Sequence, residues 1–348
     1  MGRPLFRSIL FPPCLIIAVV TGGCVHYPFH PQYTGLKERS EQLFQYYSYP
    51  KEQIEARRHK TGETKNYSLR RVEFPHALKS EQGNDDIRID YYQVKKGGKL
   101  PTIIISPIFG ERDIFSRYFA RYFASHGFHC AIVHEGSTPI TDVEEIDNVE
   151  LFFKNTIIKI RQVVDWLTQQ EEVDQERLGS FGISFGAIKN VITAGVEPRL
   201  KCHVFALAGG SLADIVCYSK MREIRKWRKR IRKKEGISLP QLHQKLSQKI
   251  RSDPLTLGEY VDATKTLTFI AVFDRVIPGK YAKNLWQALG KPEVIYLPFG
   301  HFASMLTLPY TRVKSLQFFQ KCFGVNNTLD SLQEKQGLVR SSLPKKGE

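Results

Sequence analysis

Hydrophobic and polar positions along the chain predict alternating strands and helices from about residue 67 onward. Tyr67 to Phe74 and Ile87 to Val94 roughly alternate apolar and polar residues, with a Gly/Asn/Asp-rich turn region between them. Thr102 to Ile105 is a continuous β-branched run, which is typical of a strand buried on both faces. A helical pattern covers about Asp113 to Ser125. The pattern therefore predicts an antiparallel hairpin that leads into an α/β domain.

The same alternation continues to about residue 322. Further strands are predicted over 128–133, 177–183, 202–207, 267–273 and 293–297, with helices over 148–169, 185–193, 280–289 and 310–322. This order favours a mostly parallel, doubly wound sheet with helices on both faces. The segment 211–263 breaks the rhythm, so we expect an inserted helical cap there. The domain is predicted to span 67–324, followed by a polar tail over 325–348.

The stretch 24–66, which precedes the predicted domain, is polar and aromatic with little clean periodicity. It is interpreted as a tether with one amphipathic helix over Leu43 to Arg58. The alternative is a segment with no regular structure.

The first residues have the features of a processing signal. Arg3 and Arg7 form a basic region before a short apolar run from Ile9 to Val20, and Thr21-Gly22-Gly23 leads directly to Cys24. The arrangement resembles a bacterial lipobox, with Thr21 where an aliphatic residue is more usual. That resemblance implies removal of residues 1–23 and lipidation of Cys24, which would anchor the protein at the cell envelope. An uncleaved anchor or a plain signal peptide is the alternative.

Composition is ordinary for a globular protein except for its charge. The formal net charge is +16, and the run from Lys220 to Lys234 holds ten Lys or Arg against Glu223 alone, which supplies +9 of it. The excess is local and no nucleic-acid-reading module accompanies it, so no nucleic-acid partner is predicted.

The basic run has an apolar stripe at helical spacing. Met221, Ile224, Trp227 and Ile231 fall near one face. Three interpretations stay open: a cap helix that packs its stripe on the core, a surface that contacts anionic lipid, and a clamp for an anionic substrate.

The cysteines indicate no metal site. Cys130 and Cys202 lie in predicted strands, and no CxxC or Cys/His cluster appears. We expect neither metal nor cofactor, and the state of Cys217 and Cys322 stays open.

A G-x-S-x-G motif carries the candidate chemistry. Gly182-Ile183-Ser184-Phe185-Gly186 ends an apolar strand and opens an apolar helix. That context presents a serine hydroxyl on a tight turn at the carboxyl end of a sheet. Ser184 is the predicted nucleophile.

A serine hydroxyl needs a base and an acid that orients the base. His301, in the loop after strand 293–297, is the candidate base. Asp274 ends the apolar run 267–273 and is the candidate acid, although it could instead cap the next helix near Pro278. Asp214 is the rival acid.

The order Ser184, Asp274, His301, each shortly after a strand, resembles the α/β-hydrolase superfamily and within it the esterase and dienelactone-hydrolase-like branch. The resemblance covers about residues 67–323 and implies the α/β-hydrolase fold with these residues as nucleophile, acid and base. Many members have His-Gly after the third strand, whereas this chain has Ser106-Pro107-Ile108-Phe109-Gly110. We therefore expect an oxyanion hole from the backbone of Phe185 and of Ile108 or Phe109.

Phenylalanines gather near these residues in the sequence. Phe299 and Phe302 flank His301, and Phe109 and Phe185 lie in the oxyanion segments. They are predicted to line an apolar substrate pocket, with core packing as the alternative.

The sequence thus predicts a serine hydrolase that acts on a small-molecule carboxylic ester or thioester at the cell envelope. Two alternatives remain: a catalytically inactive hydrolase fold that serves as a binding or scaffold protein, and an acyltransferase that uses the same three residues.

Overall fold

The computed structural model describes residues 23–30, 33–78, 86–110, 113–134 and 143–325. Ten strands form one sheet. They are β1 (Val25–Tyr27), β2 (Arg57–Glu63), β3 (Tyr67–Phe74), β4 (Ile87–Val94), β5 (Leu100–Ser106), β6 (His129–Val133), β7 (Val173–Ile183), β8 (Leu200–Ala206), β9 (Thr266–Ala271) and β10 (Glu293–Leu297).

The strand order is β1-β10-β9-β8-β7-β5-β6-β4-β3-β2. Strands β5 to β10 pair in parallel, whereas β2, β3 and β4 add an antiparallel end and β1 closes the other edge antiparallel to β10. The mostly parallel sheet and the hairpin β3–β4 confirm the predicted fold class. Because β5 to β10 run the same way, their carboxyl ends meet at one edge, which we call the carboxyl rim.

Helices cover both faces of the sheet. Their bounds are α1 (Glu41–Tyr46), α2 (Ile114–Ser125), α3 (Asp147–Thr168), α4 (Phe185–Val196), α5 (Leu212–Tyr218), α6 (Arg222–Glu235), α7 (Leu239–Lys249), α8 (Pro254–Gly258), α9 (Gly279–Ala288) and α10 (Leu308–Phe323). One face packs α2 and α10 against the strands through buried phenylalanines such as Phe123 and Phe319. The other face carries α3, α4 and α9.

The segment between β8 and β9 holds four helices, α5 to α8. Ser238 and Gln241 form a capping box at the start of α7, and Gly236 ends α6 in the left-handed conformation. Trp227 and Ile231 of α6 are buried against the core cluster that also contains α4. The apolar stripe of the basic run therefore packs inward, as the cap-helix interpretation expects.

The predicted tether with a helix over residues 43–58 is wrong for the N-terminal stretch. Helix α1 ends at Tyr46, and Pro50 disfavours helical geometry at the residue before it. The chain then forms β2, an edge strand whose sequence Arg57–Glu63 is almost wholly polar. Polar residues are usual on exposed edges, so hydrophobic alternation does not reveal such a strand. Strand β1 pairs at the opposite edge of the sheet.

The segment from Arg39 to Tyr49 is tied to the body by buried polar contacts. The guanidinium of Arg39 donates to the carbonyls of Gly195 and Tyr260 at 2.8 Å each. Arg161 donates to the carbonyl of Tyr47 at 2.5 Å. The first 66 residues therefore include part of the sheet and its packing, and the structured domain begins well before residue 67.

Two predicted segments lie outside the described residues. They are the signal region, of which only Gly23 is described, and the polar tail beyond Val325. Among the helices that are described, none combines the length and apolarity needed to cross a membrane.

The carboxylate of Glu150 on α3 joins α1 to the cap. Its two oxygens accept from the Tyr46 hydroxyl at 2.7 Å, the Ser252 hydroxyl at 2.7 Å, and the backbone N–H groups of Arg251 and Ser252 at 2.9 and 3.0 Å. Removing this buried acceptor leaves several donors without a partner.

We expect Glu150→Ala to lower the free energy of unfolding by about 3 kcal/mol, because hydrogen bonds to a charged group are the stronger kind and the remaining donors stay buried. Urea denaturation measures this change. The control is Glu171→Ala, at an exposed position. Equal stability of the two variants would contradict the role assigned to Glu150.

Candidate active site

Ser184 lies on a strained turn between β7 and α4. Its backbone has φ 53° and ψ −121°, a region that non-glycine residues rarely adopt. The Ser184 N–H donates to the carbonyl of Ala206 on β8 at 2.8 Å, and its carbonyl accepts the first helical bond from Ile188 at 3.0 Å. The chain therefore leaves the sheet at Ile183 and presents the serine at the amino end of α4, on the carboxyl rim.

Gly186 allows the segment after β5 to approach the turn. A Cβ atom at this position would lie 2.1 Å from the carbonyl oxygen of Ser106 and 2.8 Å from that of Pro107. Asn190 on α4 strengthens the contact, because it accepts from the Ser106 hydroxyl at 2.6 Å and donates to the carbonyl of Phe181 at 2.8 Å. The structure thus adds Asn190 to the residues that hold the site, a role the sequence pattern did not indicate.

His301 and Asp274 meet Ser184 at the rim. His301 Nε2 lies 2.8 Å from Ser184 Oγ, and His301 Nδ1 lies 2.6 Å from Asp274 Oδ2. A carboxylate only accepts, so Nδ1 carries the proton and Nε2 is left to accept from the serine hydroxyl. Three residues separated by up to 117 positions form one hydrogen-bonded chain.

Backbone contacts set the positions of the acid and the base. Asp274 Oδ1 accepts from the N–H groups of Val276 and Ile277 at 2.7 and 2.8 Å, so the carboxylate closes its own turn while its other oxygen faces the imidazole. The loop that carries His301 is fixed to the same strand end, because the N–H of Phe273 donates to the carbonyl of Phe299 at 3.1 Å. Asp274 and His301 are both almost fully buried.

The rival acid lies elsewhere. Asp214 on α5 accepts from the Ser211 hydroxyl, and its Oδ1 lies 3.0 Å from Nε2 of His243 on α7. Asp214 therefore links two cap helices, whereas Asp274 is the carboxylate that contacts the His301 ring.

The segments predicted for the oxyanion hole lie beside the serine. Ser106 pairs with Gly182 across β5 and β7, so Ile108 and Phe109 follow directly alongside the turn. Phe185 is the first residue of α4, where a backbone N–H has no intrahelical acceptor. The Phe109 and Phe185 rings meet edge to face with centroids 5.9 Å apart. The oxyanion-hole role of these backbone N–H groups stays a prediction.

The two phenylalanines predicted to line a pocket lie in different surroundings. Phe299 is partly buried and packs against the core cluster under α10. The side chain of Phe302 is 67% exposed, and its ring centroid lies 5.5 Å from that of His301. One ring therefore packs toward the core and the other faces solvent, and the pocket role of both residues stays a prediction.

A different aromatic group borders the serine. The Phe185 ring lies 5.9 Å from Phe109, 6.2 Å from Phe152 and 6.0 Å from Phe153, measured between ring centroids. Phe109, Phe152 and Phe185 are partly buried and pack against the cluster beneath the cap. Phe152 and Phe153 lie on α3, and they reach Phe185 because α3 packs against α4.

A charged cluster lies at the end of β6. His134 Nδ1 is 3.1 Å from Asp113 and His134 Nε2 is 3.3 Å from Asp90, which Arg71 and Arg117 also contact at 2.6 and 3.0 Å. Burial alone lowers the pKa of His134, but its two acidic partners outweigh that effect and raise the pKa. Burial alone raises the pKa of Asp90, and the bonds from His134 and Arg71 reverse the shift and lower it to about 2. The cluster therefore favours the charged forms of both His134 and Asp90.

Three surface depressions among the described residues lie away from the triad. One is lined by Lys60, Arg70, Gln93 and Glu172 at the antiparallel end of the sheet. The site is assigned to Ser184, His301 and Asp274 because those residues form a hydrogen-bonded chain that can activate a nucleophile.

Solved structures that are similar to this chain include esterases and another hydrolase. The chain is similar to acetyl xylan esterase 1 from Thermoanaerobacterium sp. JW/SL YS485, with TM-score 0.61 and 16% identity over 85% of this chain and 100% of that one. It is also similar to the acetyl xylan esterase from Paenibacillus sp. R4, with TM-score 0.60 and 17% identity over 82% of this chain and 97% of that one. A third structure, 2,6-dihydroxy-pseudo-oxynicotine hydrolase, has TM-score 0.53 and 13% identity over 76% of this chain and 67% of that one.

The chain has the α/β-hydrolase fold. A family model described as X-Pro dipeptidyl-peptidase (S15 family) matches residues 82–228. The matched part of the chain contains the serine turn and ends before Asp274.

Two uncharacterized proteins of Mycobacterium tuberculosis, from strains CDC 1551 / Oshkosh and ATCC 25618 / H37Rv, are each 27% identical over 157 residues. The alignment covers 44% of this chain and 34% of each relative, so the chain spans about a third of the length of the curated relatives it matches.

We expect Gly186→Ala to lower the free energy of unfolding by about 2 kcal/mol, since the added Cβ would overlap the Ser106 carbonyl and force the two segments apart. Chemical denaturation measures the loss. Gly97→Ala is the matched control, because a Cβ there has no atom within 4 Å. If both variants unfold at the same denaturant concentration, the close approach is not the constraint described.

Proposed function

We propose that this chain is a serine hydrolase of the α/β-hydrolase superfamily that cleaves carboxylic ester or thioester bonds through an acyl-enzyme intermediate. The observation that carries the proposal is the hydrogen-bonded chain Ser184 Oγ, His301 Nε2, His301 Nδ1 and Asp274 Oδ2, with distances of 2.8 and 2.6 Å. A serine joined in this way to an imidazole and a buried carboxylate has a base ready to take its proton.

In the proposed mechanism, Ser184 Oγ attacks the acyl carbonyl while His301 Nε2 takes the hydroxyl proton. Asp274 stabilises the resulting imidazolium and keeps the proton of Nδ1 in place. The backbone N–H of Phe185 and that of Ile108 or Phe109 bind the oxyanion, each donor contributing about 3 kcal/mol to transition-state stabilisation. His301 then protonates the leaving group, and a water activated by the same imidazole hydrolyses the acyl-enzyme.

The surroundings of the serine support the proposed substrate class. The aromatic group of Phe109, Phe152 and Phe185 offers an apolar surface next to the nucleophile, which suits an acyl or aromatic group. The acetyl xylan esterases named above act on esters, which supports ester chemistry on this fold. The match to an X-Pro dipeptidyl-peptidase model makes an amide substrate the second candidate.

We further propose that the protein is anchored at the cell envelope through a lipidated Cys24. Cys24 follows Thr21-Gly22-Gly23, as described above. In the structure Cys24 directly precedes β1, so the chain joins the sheet at once after the proposed anchor.

Wild-type protein is expected to react with a fluorophosphonate probe and to hydrolyse chromogenic esters of graded chain length. Ser184→Ala is expected to lose labelling and at least about 10³-fold in kcat/KM, because no other group replaces the nucleophile. A proline-linked chromogenic amide in the same panel tests the peptidase alternative.

The two aspartates form a matched pair for the same assay. Asp274→Asn is expected to lower kcat by about 10⁴-fold through the wrong imidazole tautomer, whereas Asp214→Asn is expected to leave it nearly unchanged. Probe labelling that persists in Ser184→Ala would refute the mechanism. Wild type without labelling or turnover would favour a binding protein, and product formed only with an added alcohol or thiol acceptor would favour an acyltransferase.

For the anchor, we expect a clickable fatty acid fed to a bacterial host to label wild-type protein but not Cys24→Ser, with a matching shift from membrane to soluble fractions. Cys322→Ser, which changes the partly buried cysteine of α10, is the control and should remain labelled. Label on Cys24→Ser would refute lipidation at this residue.

A further inference from the structure

Exposed apolar side chains are concentrated at the carboxyl rim. Of the twelve large hydrophobic side chains that are exposed in the described residues, seven lie on loops or helix starts that follow the carboxyl ends of the strands or in the cap. None of the twelve lies on the loops that lead into the parallel strands. The seven are Ile114, Leu151, Tyr218, Val272, Phe273, Phe302 and Leu306.

Three of these side chains border the catalytic residues. Phe273 directly precedes Asp274, Phe302 directly follows His301, and Leu306 lies in the next turn. Their exposed fractions are 67%, 67% and 65%. A soluble surface seldom presents so many large apolar groups together, and such a patch usually marks a binding surface.

The cationic helix α6 crosses the same rim. Two residues before it begins, the N–H of Lys220 donates to the carbonyl of Arg275, beside Asp274, at 3.3 Å. Near its other end Lys234 lies 3.6 Å from Glu144, which precedes α3. Because Trp227 and Ile231 face the core, most of the charged side chains face outward. The exposed cations are Arg222, Arg225, Lys226, Lys229, Arg230, Lys233 and Lys234.

The register of β1 places the proposed anchor at this rim as well. Val25 is opposite Tyr296 in the antiparallel pair with β10. Cys24 precedes Val25, so it continues past Tyr296 toward the carboxyl end of β10, and it packs against the same core cluster as Phe299 and Leu308. An acyl chain on Cys24 would leave the protein on the side that carries His301.

We propose that the carboxyl rim docks on an anionic phospholipid bilayer and holds the active site against the membrane surface. The apolar side chains Phe273, Phe302 and Leu306 enter the interfacial layer, and the outer face of α6 contacts anionic head groups. This combination of apolar and polybasic surface is what interfacial binding requires. The inference deepens the proposed envelope location and rests on it for the contribution of Cys24, whereas the other two observations are independent of lipidation.

The first test measures how much of the full chain sediments with vesicles of phosphatidylglycerol and phosphatidylcholine. All proteins carry Cys24→Ser, so an acyl chain on Cys24 cannot hold them on the vesicle. Phe273→Ser combined with Leu306→Ser is expected to lower the partition coefficient at least about tenfold. The control is Leu36→Ser, which replaces a side chain that is 49% exposed and lies near the other end of the molecule. It is expected to bind like the parent.

The second test reverses charge on α6. Lys226→Glu combined with Lys229→Glu is expected to lower binding to the phosphatidylglycerol vesicles about tenfold or more, with no change on phosphatidylcholine alone. Lys96→Glu combined with Lys99→Glu, in the turn that leads into β5 at the opposite end, is the matched control. All these positions are exposed or nearly so, and an unchanged thermal midpoint verifies that each variant is folded.

Equal vesicle binding by the rim variants and their controls would overturn the proposal. Self-association of the parent that the Phe273 and Leu306 changes abolish without lipid, in sedimentation velocity, would assign the patch to a second copy of the chain and would also overturn it. Neither result bears on probe labelling of Ser184, so a failure of docking and a failure of the proposed chemistry are distinguishable.

Discussion

The active site depends on the close approach between Gly186 and the carbonyl of Ser106. With only a hydrogen at that Cα, α4 begins against the end of β5, and a Cβ would lie 2.1 Å from the carbonyl oxygen. The contact sets the strained conformation of Ser184, aligns the Ile108–Phe109 segment beside it, and lets Asn190 bond both β5 and β7. The distance from Ser184 Oγ to His301 Nε2 therefore depends on a serine position that this close approach constrains.

Parallel pairing then explains why so many functional features share one edge. Strands β5 to β10 deliver their following loops to the same rim, which gathers the nucleophile, acid and base from three different strand ends. The same geometry brings the exposed Phe273 and Phe302 next to the catalytic residues, and the cap adds its cations there. The antiparallel strand β1 brings the residue after the proposed signal to this rim from the other direction. The catalytic residues and the proposed lipid anchor therefore lie at the same rim because of the directions of the strands that carry them.

Much of this was predictable from local patterns. Apolar runs located β3 to β10 within a few residues, and the G-x-S-x-G placed Ser184 between a strand and a helix because burial and turn chemistry are local properties. Asp274 and His301 were predicted from their positions after strands. The structure shows which carboxylate contacts the imidazole: both Asp274 and Asp214 followed a strand, and only the meeting of the β9 and β10 loops distinguishes them.

The sequence by itself determined the order of the core strands, the identity of the serine turn and the amphipathic character of the basic helix. Each of these is a local pattern within one continuous stretch of residues. The tertiary structure alone decided the rest. Strands β1 and β2 form because other strands of the sheet supply their hydrogen-bond partners. Their sequences are very short or polar, so they show no alternation of apolar and polar residues that would predict a strand. The aromatic group at Ser184 likewise joins α3 to α4, and Phe299 turned to the core while Phe302 turned to solvent. Pairing and packing between distant segments are properties of the folded chain, and no local pattern encodes them.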